Sequence, residues 1–513
     1  MNGAEGLLAA AGRAGVEVCF ANPGTTELPL VAAFDSVGGI RTALCLAEGV
    51  VTGAADGYAR MSGRPAMTLL HLGPGLANGI ANLHNARRAR TPVVNVVGEH
   101  ATWHQAADAP LASDIESLAR PVSGWVGRTT SAATTGADFL VAHQAALRER
   151  MPATLVVAAD HQWERAAGAP GPLPDPRPAG VDDERIEGTA RLLSGAARPA
   201  LLLGGDALGA AGLRDAARVA AAVGGEVFAE GSPARIERGP DVPVARSLPY
   251  FPEDVSAVLA EFTHLVLVGT GVPVSFFGYP GGSSVPVPGH VQVHPLATAE
   301  EDALGALAAL AEAVGAAAGP PARERPEPVR PEGALTAESL AAAVALAQPE
   351  GAIVVNEGIT SSAAYPELAA AAPAHTELGL TGGAIGMGIP VATGAALACP
   401  DRPVIGLQAD GSAAYSPQGL WTQAREGLNV TTVLCANSRY RILEAELHRA
   451  GVREPGRSAT GMTDLGAPGV DWVALATGFG VPATRASTAG ELVAALHRAR
   501  TTPGPHLVEA TLT

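Results

Sequence analysis

The stretch from Val404 to Tyr440 constrains the fold more than any other part of the chain. It reads VIGLQADGSAAYSPQGLWTQAREGLNVTTVLCANSRY, which is an apolar run, a small-residue turn, an amphipathic helical pattern, a second apolar run and a polar turn. Two apolar runs of this kind joined by one helix normally lie parallel in a sheet. We therefore predict a βαβ unit here, within an α/β protein.

Side chains that carry oxygen ligands end both predicted strands of this unit. Asp410 ends the first strand and Asn437 the second, so both are expected at the carboxyl edge of the sheet, where ligands bind in open α/β folds. These oxygens, beside Gly411 and Ser412 whose N–H groups can meet phosphate, suit Mg²⁺ carrying a diphosphate. The alternative is that Asp-Gly forms an ordinary turn and Asn437 caps a loop.

The same stretch resembles a motif of thiamine-diphosphate (ThDP) enzymes. That motif is GDG, a spacer and NN, with the tail NNxxY, and Asp410, Asn437 and Tyr440 stand at the matching positions. The resemblance implies Mg²⁺ held by Asp410, Asn437 and the main-chain carbonyl of Arg439. It also implies that Gly411, Ser412 and Tyr440 belong to the cofactor site.

Length and composition limit the class of protein. With 513 residues the chain is expected to form about three domains. A net charge of −16 argues against nucleic acid or an anionic membrane as the main partner. The chain contains no lysine, so all 34 basic residues are arginine. Schiff-base enzymes, enzymes with a pyridoxal-phosphate aldimine and Walker-A ATPases need a lysine and are excluded.

Cysteine usage and hydropathy indicate a cytoplasmic protein. The four cysteines stand singly in apolar runs, which is typical of reduced, buried thiols. No apolar run approaches ~20 residues, and the N-terminus lacks a basic region followed by an apolar core. We therefore expect neither export nor membrane spanning.

Three α/β domains are predicted, at residues 1–165, 182–318 and 333–513. Proline-rich stretches at Trp163–Val181 and Pro320–Pro331 separate them and are expected to be linkers. The second domain has a Rossmann-like alternation of strands and alanine-rich helices. Its GGDALGAAG is not GxGxxG, and no acidic residue is evident at a ribose-binding position, so a nucleotide is not expected there.

Glu48 opens a predicted helix in the phrase ALCLAEGVVTGAADGYAR. A glutamate in the first turn often does no more than complement the helix dipole. The whole phrase, however, resembles the glutamate segment of ThDP enzymes. The resemblance implies that Glu48 bonds the aminopyrimidine ring and promotes the imino tautomer that deprotonates C2 of the thiazolium. In this family the glutamate and the Mg-diphosphate site come from different subunits, which implies a homodimer or a dimer of dimers.

Two further segments of the third domain resemble cofactor-binding segments of the same family. Gly382–Gly386 resembles the segment that meets the middle of the cofactor, with Ile385 wedged under the two rings and the carbonyl of Gly383 accepting from the aminopyrimidine. A plain glycine-rich loop is the alternative. The phrase NEGITS follows a predicted strand, and Thr360 within it is a candidate diphosphate contact.

The segments NPGTTEL and LHLGPG resemble pocket loops of benzoylformate decarboxylase, although GPG is nearer to acetolactate synthase. The match places Thr25 and His71 in the substrate pocket as catalytic candidates, with His71 over the thiazolium as a proton carrier. A histidine that follows a strand is also often structural. Phe277 stands near where the decarboxylase has its second histidine, and Ile442 is a further candidate for the pocket.

The chain thus resembles the superfamily of acetolactate synthase, benzoylformate decarboxylase and pyruvate decarboxylase over nearly its whole length. The resemblance implies decarboxylation of a 2-oxo acid. Because the pocket has fewer acid and base groups than the decarboxylases, we expect ligation to a second carbonyl compound, with release of an aldehyde as the alternative. FAD, which acetolactate synthases often carry, is not expected. A catalytically inert ThDP-binding paralogue is a further alternative, since Ala409 and Ala436 replace the first Gly and first Asn of the metal motif.

Overall fold

The computed structural model describes residues 1–320 and 327–513. The strands of these residues, numbered in chain order, are β1 Val18–Asn22, β2 Arg41–Leu44, β3 Ala66–Leu70, β4 Val93–Glu99, β5 Trp125–Arg128, β6 Pro152–Ala158, β7 Pro199–Leu203, β8 Glu226–Ala229, β9 Ile236–Arg238, β10 Arg246–Ser247, β11 His264–Val268, β12 Gln292–Ala297, β13 Ile353–Glu357, β14 His375–Gly379, β15 Val404–Ala409, β16 Val430–Ala436, β17 Ala483–Ala486 and β18 His506–Thr511.

The α-helices, numbered in the same way, alternate with these strands along most of the chain. They are α1 Gly3–Arg13, α2 Leu28–Val37, α3 Glu48–Ser62, α4 Leu72–Arg88, α5 Ile115–Ala119, α6 Thr135–Glu149, α7 Ala159–Trp163, α8 Asp183–Gly195, α9 Ala210–Val223, α10 Pro252–Leu259, α11 Ala303–Ala313, α12 Ala337–Ala347, α13 Tyr365–Leu368, α14 Gly388–Ala398, α15 Asp410–Ala413, α16 Gly419–Glu426, α17 Arg441–Arg449, α18 Arg457–Thr463, α19 Trp472–Gly478 and α20 Ala489–Thr501. Among the described helices, none has the length and apolar character needed to cross a membrane.

The chain divides into two compact units. The first unit contains Met1–Pro176, Pro328–Leu368 and Leu380–Thr513, and the second contains the described parts of Arg177–Glu327 together with Ala369–Gly379. Most of the predicted first and third domains therefore lies in one unit. The three domain boundaries stay a prediction, and part of the proposed linker Pro320–Pro331 lies outside the described residues.

A six-stranded parallel sheet organises the N-terminal part of the first unit. Its order is β2-β1-β3-β4-β6-β5. Alternate residues of its central strands pack against α1, α2 and α6, and the strands β3, β4 and β6 are buried along their whole length, as expected for a parallel sheet covered by helices. Asn22 pairs with Leu70, so the residues at the carboxyl ends of β1 and β3 are neighbours.

A second parallel sheet, with the order β17-β18-β16-β15-β13, organises the C-terminal part of the first unit. The strands β15 and β16 are parallel, with Ala409 opposite Cys435, and α16 lies between them in the chain. This confirms the βαβ unit predicted from Val404–Tyr440. Asp410 and Asn437 follow the two strands at the same edge of the sheet.

The helices α3 and α14 join these two sheets by packing backbone against backbone. A Cβ atom at Gly57 would lie 2.1 Å from the carbonyl oxygen of Val391, and one at Gly394 would lie 1.8 Å from that of Ala54. Both distances are shorter than any van der Waals contact. The two helices can therefore approach this closely only because glycine occupies these positions.

The charged residues of the phrase ADGYAR form a buried ion pair in the C-terminal half of α3. The Asp56 and Arg60 side chains are 1% and 2% exposed, and two hydrogen bonds join them. The same guanidinium donates a 3.4 Å hydrogen bond to the hydroxyl of Thr381. The charged residues of this phrase thus connect α3 to the segment that precedes α14.

The second unit contains a parallel sheet with the order β10-β8-β7-β11-β12, together with the antiparallel pair β9 and β14. The expectation that this unit binds no nucleotide stays a prediction. Glu230 directly follows β8, the strand beside β7, and accepts a 2.9 Å hydrogen bond from the hydroxyl of Thr270. The glycine spacing after β7 still departs from GxGxxG, and the expectation that this unit holds no FAD stays a prediction.

The packing of α3 on α14 predicts the effect of one added methyl group. We expect Gly394→Ala to lower the free energy of unfolding by ~1–3 kcal/mol, because the new Cβ overpacks the interface with Ala54. Gly12→Ala, in α1 where no atom lies near a new Cβ, is the matched control and should raise it by ~0.5–1 kcal/mol. Urea unfolding of both variants measures the difference, and equal stabilities would contradict this account of the interface.

Candidate active site

Glu48 is held at the carboxyl edge of the N-terminal sheet by two asparagines. It is the first residue of α3, and its side chain is almost completely buried. One carboxylate oxygen accepts from Nδ2 of Asn22 at 3.0 Å, and the other accepts from Nδ2 of Asn78 at 3.1 Å. The end of β1 and the first turns of α4 therefore fix the orientation of this carboxylate.

His71, directly after β3, is paired with a buried carboxylate that the sequence analysis did not single out. Its Nδ1 lies 2.8 Å from Oε2 of Glu27, which is 0% exposed. Glu27 also accepts hydrogen bonds from the N–H of Gly24 and the hydroxyl of Thr26. In the described part of the chain no protein group bonds Nε2 of His71, so this nitrogen is available to a ligand.

The pairing of Glu27 with His71 requires two glycines. A Cβ atom at Gly24 would lie 2.3 Å from Nδ1 of His71, and one at Gly98 would lie 1.7 Å from Oε1 of Glu27. Any larger residue would push the imidazole or the carboxylate out of place. We call Asn22, Glu27, Glu48, His71 and Asn78 the glutamate half of the site.

Asp410 brings the turns after β15 and β16 together in the C-terminal sheet. Its Oδ1 accepts from the N–H of Gly411 at 2.8 Å, and its Oδ2 accepts from the N–H of Ser438 at 2.7 Å. Oδ1 of Asn437 accepts from the N–H of Arg439 at 3.0 Å. We call Asp410, Gly411, Asn437, Ser438 and Arg439 the metal half of the site.

The charge and chemistry of the metal half fit a divalent cation. Burial raises the pKa of Asp410, and backbone N–H groups, first that of Ser438, partly offset this. A buried carboxylate with a raised pKa favours a nearby positive charge. The described residues contain no cluster of three His, Cys, Asp or Glu side chains. Asp410, Asn437 and the Arg439 carbonyl offer only oxygen ligands, which suit Mg²⁺ completed by diphosphate oxygens.

Burial also affects the titratable groups around Asp410. It raises the pKa of the Cys435 thiol to about 12, and the charge of Asp410 adds to this effect. The pKa of Tyr440 is raised by burial first, then by Tyr415 and Asp410. Both groups therefore stay protonated at neutral pH, and Cys435 is not a nucleophile.

The other predicted cofactor residues of the third domain lie near the metal half. Thr360 is in the turn after β13, next to Ser361, whose hydroxyl accepts from Nδ2 of Asn437 at 3.3 Å. The segment with Gly383 and Ile385 is joined to the turn after β15 by the hydroxyl of Ser416, which donates to the carbonyl of Gly386 at 2.6 Å. Ser412 is buried in α15.

Within the described part of the chain, the side chains of the glutamate half and of the metal half make no direct hydrogen bond to one another. The helix α4 has His71 as its N-cap and, near its other end, Asn85, which bonds Ala384 beside Ile385. His71 and Asn85 are 14 residues apart, so about 20 Å of helix separates them.

Three non-glycine residues with left-handed backbone conformations adjoin predicted site residues. Leu72 follows His71 with φ 52°, Ile359 precedes Thr360 with φ 51°, and Ser438 follows Asn437 with φ 57°. This conformation is uncommon outside glycine, asparagine and aspartate. The turns that carry the predicted site residues are therefore held in conformations that their sequences do not prefer.

The remaining predicted residues are less closely tied to the two halves. Thr25 is exposed in the turn before α2, and Ile442 is half-buried in α17, a helix without buried residues. Phe277 lies in the second unit, where it is half-exposed and stacks edge-on against Phe276. Their roles in a substrate pocket stay predictions. Glu27 and Asn22 stand in the segment NPGTTEL without a predicted role, and Asn78 was not predicted at all, because their partners lie 26 to 44 residues away in the chain.

We expect Glu27→Gln to lower the free energy of unfolding by ~1–3 kcal/mol, because a charge-assisted hydrogen bond to His71 is replaced in a fully buried position. Urea unfolding at neutral pH measures the change. Glu338→Gln, at an exposed position in the first turn of α12, is the control and should stay within ~0.5 kcal/mol of the wild type. Equal stabilities of the two variants would contradict the pairing of Glu27 with His71.

Residues 1–118 match the family described as thiamine pyrophosphate enzyme, N-terminal TPP binding domain, and residues 362–510 match its C-terminal TPP binding domain. The chain is 49% identical to the Mycobacterium tuberculosis protein named "Putative acetolactate synthase large subunit IlvX", over 99% of this chain and 98% of that protein. It is 30% identical to benzoylformate decarboxylase of Pseudomonas aeruginosa, over 97% and 96% of the two chains.

A solved structure with a similar fold is the ThDP-dependent 4-hydroxybenzoylformate decarboxylase of Rhodococcus jostii RHA1. It superimposes with a TM-score of 0.88 at 26% identity, over 100% of this chain and 99% of that one. The matched relatives thus span both halves of the site and the second unit. The chain belongs to the thiamine pyrophosphate (ThDP) enzyme family.

Proposed function

We propose that the protein is a ThDP- and Mg²⁺-dependent decarboxylase that acts on a 2-oxo acid and releases an aldehyde. The observation that carries this proposal is the pairing of His71 with the fully buried Glu27 at the end of β3. Release of an aldehyde needs a proton at the carbon that loses CO₂, and an imidazole held by a carboxylate can deliver one. The decarboxylases among the full-length relatives support the same choice.

The residues of the metal half would bind the cofactor by its diphosphate. Asp410, Asn437 and the carbonyl of Arg439 would hold Mg²⁺, and the N–H of Ser412 in α15 would meet a phosphate oxygen, while the N–H of Gly411 stays bonded to Asp410. Thr360 would contribute a further polar contact. Gly383 would accept from the aminopyrimidine, and Ile385 would support its rings.

The glutamate half would supply the proton transfers. When bound, ThDP supplies a nucleophilic carbon at C2 and a sink for the electron pair that CO₂ leaves behind. Glu48, fixed by Asn22 and Asn78, would exchange a proton with the pyrimidine ring. His71 would use Nε2 to protonate the substrate-derived atoms, since its Nδ1 is committed to Glu27.

Carboligation, which the sequence favoured over release of an aldehyde, is the second candidate. The relative with 49% identity, which carries an acetolactate synthase name, favours it. In that reaction a second carbonyl compound takes the place of the proton as electrophile. The two activities therefore differ in the electrophile that the carbon receives, a proton or the acceptor's carbonyl carbon, and in whether an acceptor is needed.

We also propose a homodimer with shared sites, which the resemblance to ThDP enzymes implies. Each site would combine the glutamate half of one chain with the metal half of another. A dimer of dimers would contain the same shared sites. An active monomer is not expected.

The function is tested by incubating the protein with ThDP, Mg²⁺ and a panel of 2-oxo acids, with and without aldehyde acceptors. We expect CO₂ and a free aldehyde from at least one acid in the absence of an acceptor, and a loss of this activity in His71→Ala. CO₂ release only with an acceptor would replace the first proposal by carboligation. Tight ThDP binding without CO₂ release in any combination would support the inert alternative.

Mixing two inactive variants tests the shared site. Glu48→Gln removes the acid of the glutamate half, and Asp410→Ala removes the carboxylate of the metal half. After the two chains are mixed and reassociated, half the dimers are mixed and contain one intact site each, so about a quarter of wild-type activity should return. No recovery, with mixed dimers verified by two affinity tags, would place each site within a single chain.

A further inference from the structure

The segment Thr381–Met387 between β14 and α14 lacks regular secondary structure. Gly383 and Gly386 have left-handed backbone conformations with φ 76° and φ 99°. No ladder of backbone hydrogen bonds therefore fixes the position of Ile385. Contacts with side chains from elsewhere in the first unit must do so.

Asn85, near the C-terminal end of α4, holds the residue before Ile385. Its side chain is 0% exposed. Its Nδ2 donates to the carbonyl of Ala384 at 2.7 Å, and its Oδ1 accepts from the N–H of the same residue at 3.2 Å. One amide thus satisfies both backbone polar groups of Ala384. The hydroxyl of Thr381 donates to the carbonyl of Asn85 at 2.8 Å and adds a third connection.

Glu357, the last residue of β13, holds the residues after Ile385. Its side chain is 1% exposed. Its Oε1 accepts from the N–H groups of Gly386 and Met387 at 2.7 and 3.2 Å, and its Oε2 accepts from that of Gly388 at 2.7 Å. Nε2 of Gln408 donates to the same carboxylate at 2.8 Å. One carboxylate therefore fixes three consecutive residues and caps α14.

We propose that Asn85 and Glu357 are positioning residues that fix Ile385 from both sides and so prepare the segment that meets the middle of the cofactor. This inference rests on the proposed cofactor site. Neither side chain is placed to touch reacting atoms, because both are buried and committed to backbone groups. They act through the backbone of the segment.

A positioning role and a merely structural role predict different measurements. If the two residues only support the fold, their variants lose stability and bind ThDP normally when folded. If they preorganise Ile385, losing the contacts on either side of it leaves the segment less ordered. Binding of ThDP must then bear the entropic cost of ordering the segment. Binding of diphosphate alone, which does not need Ile385, should then be unaffected.

The test uses Asn85→Asp and Glu357→Gln, which keep the shape of each side chain. In Asn85→Asp an oxygen replaces the group that donates to Ala384, and in Glu357→Gln an NH₂ group faces N–H donors. We expect each to raise the dissociation constant of ThDP in saturating Mg²⁺ by about tenfold, the effect of losing roughly one buried hydrogen bond. The affinity for inorganic diphosphate should change less than about twofold.

Asn95→Asp is the matched control. Asn95, in β4, is also 0% exposed and lies, like Asn85, in the N-terminal part of the first unit. Its side chain makes two hydrogen bonds, with Thr68 and Thr154, and no described hydrogen bond joins it to Thr381–Met387. We expect it to lower the melting temperature while leaving the affinity for ThDP unchanged. The near-ultraviolet circular dichroism of bound ThDP should change in Asn85→Asp and not in this control.

Three results would overturn the inference. One is wild-type ThDP affinity in a folded Asn85→Asp protein, the second is an equal loss in Asn95→Asp, and the third is an equal loss of affinity for inorganic diphosphate. If the wild-type protein itself binds no ThDP, the proposed cofactor site fails instead. The experiment thus separates the two proposals.

Discussion

The contact between α3 and α14 fixes the relative position of the two site-bearing sheets. Glu48 is the first residue of α3, and α14 begins three residues after Ile385. Because Gly57 and Gly394 let the two backbones touch, a shift of one helix would move residues of both halves of the site. Asn85 and Arg60 add polar connections to the segment before α14. The architecture at the site is therefore set by a contact that contains no site residue.

The sequence predicts those parts of the site that follow from local pattern. Asp410 and Asn437 end apolar runs of strand length, and Glu48 begins an amphipathic helix, so each position could be assigned from its immediate neighbours. The hydrogen-bond partners of these residues could not be assigned in this way. Glu27 and His71 meet because β1 and β3 are adjacent in the sheet. The order of strands in a sheet cannot be inferred from neighbouring residues of the sequence alone. Glu230 is a similar case, since its place after the strand beside β7 depends on the order of strands.

The helix α4 connects two parts of the candidate site. It begins beside His71 and ends near Asn85, so about 20 Å of helix lie between His71 and the residue that holds Ala384. A rigid helix keeps this distance fixed. The same helix therefore positions His71 at one end and supports the segment of Ile385 near the other.

The left-handed residues Leu72, Ile359 and Ser438 bear on how this scaffold could be engineered. Each costs the folded chain roughly 1 kcal/mol compared with a relaxed backbone, and glycine at these positions would remove that cost. It would also loosen the turns that hold His71, Thr360 and Asn437. A search for heat-resistant variants should therefore leave these three positions unchanged and start at exposed helix positions remote from the carboxyl edges of the sheets.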